Sequence, residues 1–240
     1  MERVPTGIPG MDSLLQGGFL EGSSVLLSGG AGSGKTIFST QFVYNGASQY
    51  NEPGIYITLE EGTTNIWWNM KSFRWNIAKM QQDNLIKIYR VGMFNPKDFA
   101  MQFDSEIGKI KDMVNEMGAK RLVIDSTTAF GMFMGSDADI RYNLFKLINE
   151  TKKLNCTTLL LSEVQAKDGT PERDTNSAFG VEEFVVDGLI RLYFQPPMRA
   201  LLIKKMRGID HDKRIHPFEI GANGFEVNAA EQILWESLNK

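Results

Sequence analysis

The residue pattern predicts an α/β fold, with a mostly parallel central sheet flanked by helices and antiparallel strands added toward the C-terminus. Three observations predict it. A phosphate-binding loop, Gly29-Gly30-Ala31-Gly32-Ser33-Gly34-Lys35-Thr36, fits G-x-x-x-x-G-K-[ST] and lies between an apolar strand and a helix with an apolar face. Apolar runs of strand length then alternate with helical patterns, as a parallel sheet with crossover helices requires. From Gly180 onward, β-type runs follow one another with only turns between them, as antiparallel strands do.

The elements follow in order. The turn-rich opening at 4–12 leads to one helical turn near Ser13-Leu14-Leu15 and then to Gly17-Gly18. Val25-Leu26-Leu27-Ser28 is the strand entering the loop, and a helix starting near Gly34 runs through Ile37, Phe38, Phe42 and Tyr44 to Ala47. Pro53-Gly54 punctuates. The run 55–59 is a buried strand ending at Glu60-Glu61, 63–75 is helical, and 86–91 is a strand. Pro96 suits a helix start, and Phe99, Phe103, Ile107, Ile110 and Val114 recur at helical spacing up to Met117. Residues 121–125 form a buried strand with a terminal acid, 140–154 a helix and 158–164 a strand. The polar, charged stretch 166–178 is a surface loop. Runs at 184–194, 199–206, 217–220 and 224–227 supply the antiparallel strands.

The totals agree with this. A chain of 240 residues suits one large α/β domain, expected over 1–240. Its composition is that of an ordinary globular protein, 42% hydrophobic and 23% charged. The net charge of −3 gives no global attraction to nucleic acid. The single cysteine, Cys156, cannot close an internal disulfide and is expected to be a buried structural thiol. No apolar run reaches roughly 18 residues and no signal sequence opens the chain, so the cytoplasm is the expected compartment.

The loop carries the first chemistry. Glycines lack a Cβ, so the backbone can curl and aim several N–H groups at phosphate oxygens. The loop amides of Gly30, Ala31, Gly32, Ser33 and Gly34 are therefore expected to bind a nucleoside triphosphate, with the helix N-terminus adding its own donors. Lys35 would meet the β/γ-phosphates and the Thr36 hydroxyl would hold Mg2+. Asp125 ends an apolar strand and begins Asp-Ser-Thr, where it can hold magnesium opposite Thr36. Glu60 and Glu61 end another strand whose tip lines the same crevice. Glu60 is expected to orient the attacking water as base, with Glu61 supporting it. Ser162-Glu163 would add polar groups near that edge.

Several segments together resemble the RecA/RadA/KaiC group of ATPases: 6–12, the GSGKT loop, Leu59-Glu60-Glu61 and Asp125-Ser126. Three more resemble KaiC in particular. Ser72-Phe73-Arg74-Trp75 is similar to its Ser-Phe-Gly-Trp helix end, and 179–188 to its Gly-Val-Glu-Glu-Phe segment. The stretch 205–211 with Pro217-Phe218 is similar to Lys-x-Arg-Gly-Thr-x-His…Pro-Phe. The likeness runs in order along nearly the whole chain and closely matches single-domain KaiC-like proteins of archaea. It implies a RecA-like fold, ATP and Mg2+ as ligands, and a ring of identical subunits, a hexamer, with ATP between neighbours. It also implies that Lys205 and Arg207 act on the neighbour's γ-phosphate. Met206, Ile209 and His211 would line that nucleotide, while Ile37 and Ser72 would approach it from within the chain.

The departures have consequences. The clock protein carries two such halves and this chain one. Glu182-Glu183-Phe184 stands where the clock protein's second half has its phosphorylated Ser and Thr, so self-phosphorylation is not implied. Arg74 replaces a family glycine, and Gly221-Ala222 replaces Thr-Asp. The loops 130–139 and 166–178, where RecA relatives bind single-stranded DNA, lack the net positive charge that backbone binding needs, so nucleic acid is not the expected partner. Met132-Phe133-Met134 is expected in the core or a subunit interface, as are Trp67 and Trp68. Two alternatives to an ATPase that turns over stay open: an ATP-gated scaffold for a protein partner, and a recombinase-like protein.

Overall fold

Strand and helix boundaries follow the chain's apolar periodicity closely in the computed structural model, which describes residues 2–134, 136–164, 176–180 and 182–234. In chain order the elements are β1 (Arg3–Val4), α1 (Met11–Leu14), β2 (Phe19–Leu20), β3 (Ser24–Gly29), α2 (Lys35–Tyr50), β4 (Gly54–Thr58), α3 (Thr63–Met70), α4 (Ile77–Gln82), β5 (Ile86–Arg90), α5 (Phe99–Met117), β6 (Arg121–Asp125), α6 (Asp137–Lys152), β7 (Thr157–Glu163), α7 (Glu182–Val185), β8 (Gly188–Gln195), β9 (Met198–Met206), β10 (Ile215–Gly221) and β11 (Gly224–Val227). β1 and β2 pair with each other. The remaining strands form one sheet in the order β11-β10-β9-β8-β3-β7-β6-β4-β5. From β8 to β5 the strands are parallel; from β8 to β11 each pairing is antiparallel.

The parallel strands are buried on both faces, which explains their continuous apolar runs. Successive side chains alternate between two cores. Val25, Leu27, Tyr56, Val123, Leu159 and Leu161 face the core that holds α1, α2 and α4. Leu26, Ile55, Ile57, Leu122, Ile124 and Leu160 face the core under α5 and α6. The α5 stripe of Phe99, Phe103, Ile107, Ile110 and Val114 is buried throughout. Cys156 is fully buried with its thiol donating to the Ala119 carbonyl at 2.9 Å, as expected for a structural cysteine.

Two expected elements differ. The helix over 63–75 stops at Met70, and α4 begins only at Ile77, with the Asn76 side chain accepting from Lys79 N–H. Phe73 and Trp75 stack with their centroids 4.6 Å apart, and Trp75 also stacks on Tyr44 at 5.5 Å. Residues two apart on a helix point away from each other, so this stack requires the chain to unwind there. The β-type run at 184–194 begins instead as the helical turn α7, and the strand starts at Gly188. Glu182 and Val186 are both buried, and a spacing of four puts both on one helical side.

Met132 is exposed, whereas Phe133 and Met134 pack against the α5/α6 core, Phe133 edge-on to Phe94 at 5.3 Å. Trp68 is 63% exposed with the Lys71 ammonium 4.0 Å over its ring. The surface loop expected at 166–178 lies outside the described residues except for its last three. Among the described residues no helix is long and apolar enough to cross a membrane.

Candidate nucleotide-binding site

The carboxyl ends of β3, β7, β6 and β4 bring Gly29, Glu163, Asp125 and Thr58 to one edge of the sheet. In open α/β sheets ligands bind at that edge. The phosphate-binding loop leaves β3 there and turns directly into α2. Gly32 (φ 70°) and Gly34 (φ 98°) sit in the left-handed region that side chains avoid. A Cβ on Gly34 would also meet Ile220 Cδ1 at 2.8 Å, so the turn allows no larger residue. No side chain caps the start of α2, which leaves its first N–H groups facing the loop's concavity. Lys35 spans the loop, its Nζ donating to the Gly29 and Gly30 carbonyls, each at 2.9 Å. Burial pulls the Lys35 ammonium below its ordinary pKa, against the opposing pull of Glu163 and Asp125. An anion delivered to this lysine would restore what burial removes.

Gly34, Lys35, Thr36, Met70, Ser72 and Arg199 line an open cleft of about 480 Å³ above the loop; Gly32 and Ile37 also border it. Ala31 is exposed and Ser33 buried, with Ser33 N–H donating to the Gly30 carbonyl at 3.3 Å. The cleft's far wall is held by the β10–β11 turn, whose Ala222 and Asn223 carbonyls accept from Arg74 N–H and the Trp75 indole. Arg74, which stands at a family glycine, thus joins this strap through its main chain.

The acids converge as well. Thr36 Oγ1 lies 3.4 Å from Asp125 Oδ2 and Tyr56 Oη donates to the same oxygen at 2.5 Å. Ser126 Oγ donates to Glu60 Oε1 at 2.5 Å, which ties the tip of β4 to that of β6. Burial raises Asp125 to about 6; the Tyr56 hydrogen bond and Lys35 oppose the rise, and the charges of Glu60 and Glu61 add to it. Both glutamates are exposed, and the charge of Glu60 is among those that favour the Lys35 ammonium. A hydroxyl and a crowded carboxylate on hard oxygen atoms suit Mg2+, which is held by one or two such groups plus phosphates and water. Among the described residues no group of three His, Cys, Asp or Glu side chains could hold a metal alone. Thr36 and Asp125 would therefore hold the ion only together with a bound triphosphate.

Other expected positions lie elsewhere. Ser162 is fully buried; it accepts from Ala178 N–H at 2.9 Å and donates to Glu182 at 3.3 Å, so its hydroxyl does not face the cleft. Lys205 and Arg207 sit at the opposite end of the sheet. Met206 pairs with Gly188, which pairs with Val25, so four strand residues, about 13 Å, separate that level from Gly29. There Lys205 Nζ donates to the Glu183 and Val186 carbonyls at 3.0 and 2.7 Å. Arg207 reaches Asp187 and the Phe184 carbonyl, both at 3.5 Å. Met206 and Ile209 are buried in the core of their own chain. His211 is half-buried with Nδ1 3.3 Å from the Ile209 carbonyl. None of these residues reaches the phosphate loop of its own chain.

Two residues at the cleft carried no sequence signal. Arg199 donates to the Gly32 carbonyl at 2.6 Å while its guanidinium lies 3.9 Å over the Phe194 ring. It arrives through the β8–β9 hairpin, a tertiary neighbour far away in the chain. Tyr56 reads in sequence as one more apolar strand residue, and only the register of β4 against β6 brings its hydroxyl to Asp125.

A phosphate loop on the carboxyl edge of a parallel sheet, with strand-end acids around its lysine and threonine, defines a nucleoside-triphosphate-binding ATPase domain of RecA-like architecture. Residues 4–232 match the family described as the KaiC ATPase, and the chain belongs to that family. A UPF0273 protein of Methanopyrus kandleri is 36% identical over 95% of this chain and 92% of its own length. One from Thermotoga maritima is 38% identical over 96% and 98%. The circadian clock oscillator protein KaiC of Prochlorococcus marinus is 36% identical over 95% of this chain but 46% of its own length, so the chain spans about half of the clock protein. Among solved structures, a KaiC-like protein of the hyperthermophilic archaeon Pyrococcus horikoshii superposes with a TM-score of 0.82 at 39% identity, covering 94% of this chain and 98% of that one.

Proposed function

We propose that this chain hydrolyses Mg-ATP in a regulatory ATPase ring, a homohexamer, with each site completed by a neighbouring copy. The observation that carries the proposal is the convergence of Lys35, Thr36, Asp125 and Glu60 on one side of a cleft sized for a nucleotide. The loop amides and Lys35 bind and orient the phosphates, and Arg199 braces the loop from the hairpin side. Ser72 borders the sugar-and-base end of the cleft. Mg2+, when bound through Thr36 and Asp125, neutralises charge that develops on the phosphates. Glu60, held by Ser126, accepts a proton from the attacking water and orients it.

Lys205 and Arg207 support assembly through their distance from their own loop. Cations that cannot serve the site in cis can serve it in trans, and an arginine delivered to a transferring phosphoryl group is worth ~10³–10⁵ in rate. Exchange of carbonyl and Asp187 contacts for phosphate contacts would couple hydrolysis to ring formation. The loop at 130–139 contains no Lys or Arg, which favours a protein partner over nucleic acid.

Glu60→Gln tests the chemistry. Phosphate release is expected to fall ~10²–10⁴-fold while ATP binding survives, because the amide keeps the hydrogen-bonding shape without the basicity. Release unchanged in the variant would refute Glu60 as base. No release from the unaltered chain, with ATP-dependent assembly intact, would establish the scaffold alternative instead.

A further inference from the structure

Tyr56 is 1% exposed, and its ring packs in the core between the sheet and α2. Phenylalanine would fill that space equally well, so the buried hydroxyl requires its own explanation; burying one without a partner is costly. Its partner is Asp125 Oδ2, 2.5 Å away, the same oxygen that faces Thr36 Oγ1 at 3.4 Å. Behind the hydroxyl, Ser39 Oγ lies 3.5 Å away and donates to the Lys35 and Thr36 carbonyls at 2.9 and 3.1 Å. A chain of polar contacts thus runs from the first turn of α2 through Tyr56 to the tip of β6. Glu60 and Glu61 both place negative charge near Asp125. A carboxylate repelled from that side, with nothing to hold it, would rotate away from Thr36. The tyrosine supplies the restraint.

We propose that Tyr56 is a positioning residue of the nucleotide site, whose hydroxyl holds the Asp125 carboxylate in the orientation that receives the divalent cation. The proposal rests on Thr36 and Asp125 as the cation-holding pair. It extends the usual rule that partners behind a metal ligand fix its direction, and that their loss costs about 10–100-fold in metal affinity.

Tyr56→Phe removes the hydroxyl and keeps the ring. Binding of a fluorescent ATP analogue is titrated with Mg2+ and repeated in EDTA, with phosphate release followed across the same Mg2+ range. The Mg2+ concentration for half-maximal binding and release is expected to rise about tenfold. Affinity in EDTA should stay within about twofold, and release should recover at saturating Mg2+, because only the cation's holder has been loosened. An unchanged Mg2+ dependence overturns the proposal, as does an equal loss of affinity in EDTA and in Mg2+. The melting temperature in EDTA identifies a variant that has simply lost its fold, in which case Ser39→Ala is carried through the same titrations and judged alike. Asp125→Asn separates this proposal from the one beneath it. If that variant weakens Mg2+ dependence and Tyr56→Phe does not, Tyr56 alone loses its role; if neither does, the cation pair falls with it.

Discussion

At the scale of single residues, burial decides chemistry as much as identity does. Cys156 and Asp125 both end or begin apolar strands, yet one is sealed from solvent and the other meets Thr36 at the edge of the cleft. Burial pushes the Cys156 thiol up to about 11. A thiol raised above its unfolded value favours the fold below about pH 9, and that contribution is lost as pH rises toward 11. At pH 8 the native protein is therefore expected to react with a thiol reagent only as fast as it unfolds, and denaturant should release the full reactivity. Labelling of the native chain at the rate of a free cysteine would contradict the buried geometry. Glu60 and Glu61 show the same dependence on place. In the fold Glu60 is the one bound to Ser126, and its charge acts on Lys35.

At the scale of elements, the C-terminal hairpin is hydrogen-bonded to α2 through the Gln41 side chain, beside the edge-on packing of Phe38 on Phe225. Gln41 Nε2 donates to the Phe225 carbonyl at 3.0 Å, and Phe225 N–H donates to Gln41 Oε1 at 2.6 Å. β11 ends the sheet, so these main-chain groups would otherwise be open to another strand. Gln41→Leu keeps the apolar bulk and strands both groups. A loss of about 2–6 kcal/mol in chemical denaturation is expected, since each buried unmade hydrogen bond costs about 1–3 kcal/mol. A change below about 0.5 kcal/mol would show that the hairpin holds by packing alone. Ile220 of this hairpin lines the cleft with Gly34, so loosening it should lower ATP affinity as well.

At the scale of the whole molecule, the sheet puts the phosphate loop at one end and Lys205 with Arg207 at the other. One chain does not bring them together; in the proposed ring a neighbour would. Lys35→Ala and Arg207→Ala should each abolish phosphate release when assayed alone. Mixed, the two are expected to regain part of it, because an intact loop from one copy can meet an intact arginine from the other. Absence of recovery in mixtures that demonstrably co-assemble would eliminate the shared site. Size measurement with and without ATP gives the assembly side of the same test.

The loop motif, the alternation of strands and helices and the α5 stripe were legible in the chain because each depends on residues close in sequence: a glycine-rich turn, a period of two, a period of 3.6. The strand-end acids were legible as a set, since a parallel sheet gathers strand tips at one edge. What only the tertiary structure decided was which groups meet across that edge. Tyr56 reaches Asp125 through strand register, Arg199 reaches Gly32 through a hairpin formed 167 residues later, and stacking of Phe73 on Trp75 breaks a helix that local periodicity would continue. Each is a contact between distant segments, and its free energy comes from burial and hydrogen bonds that exist only once the sheet has assembled.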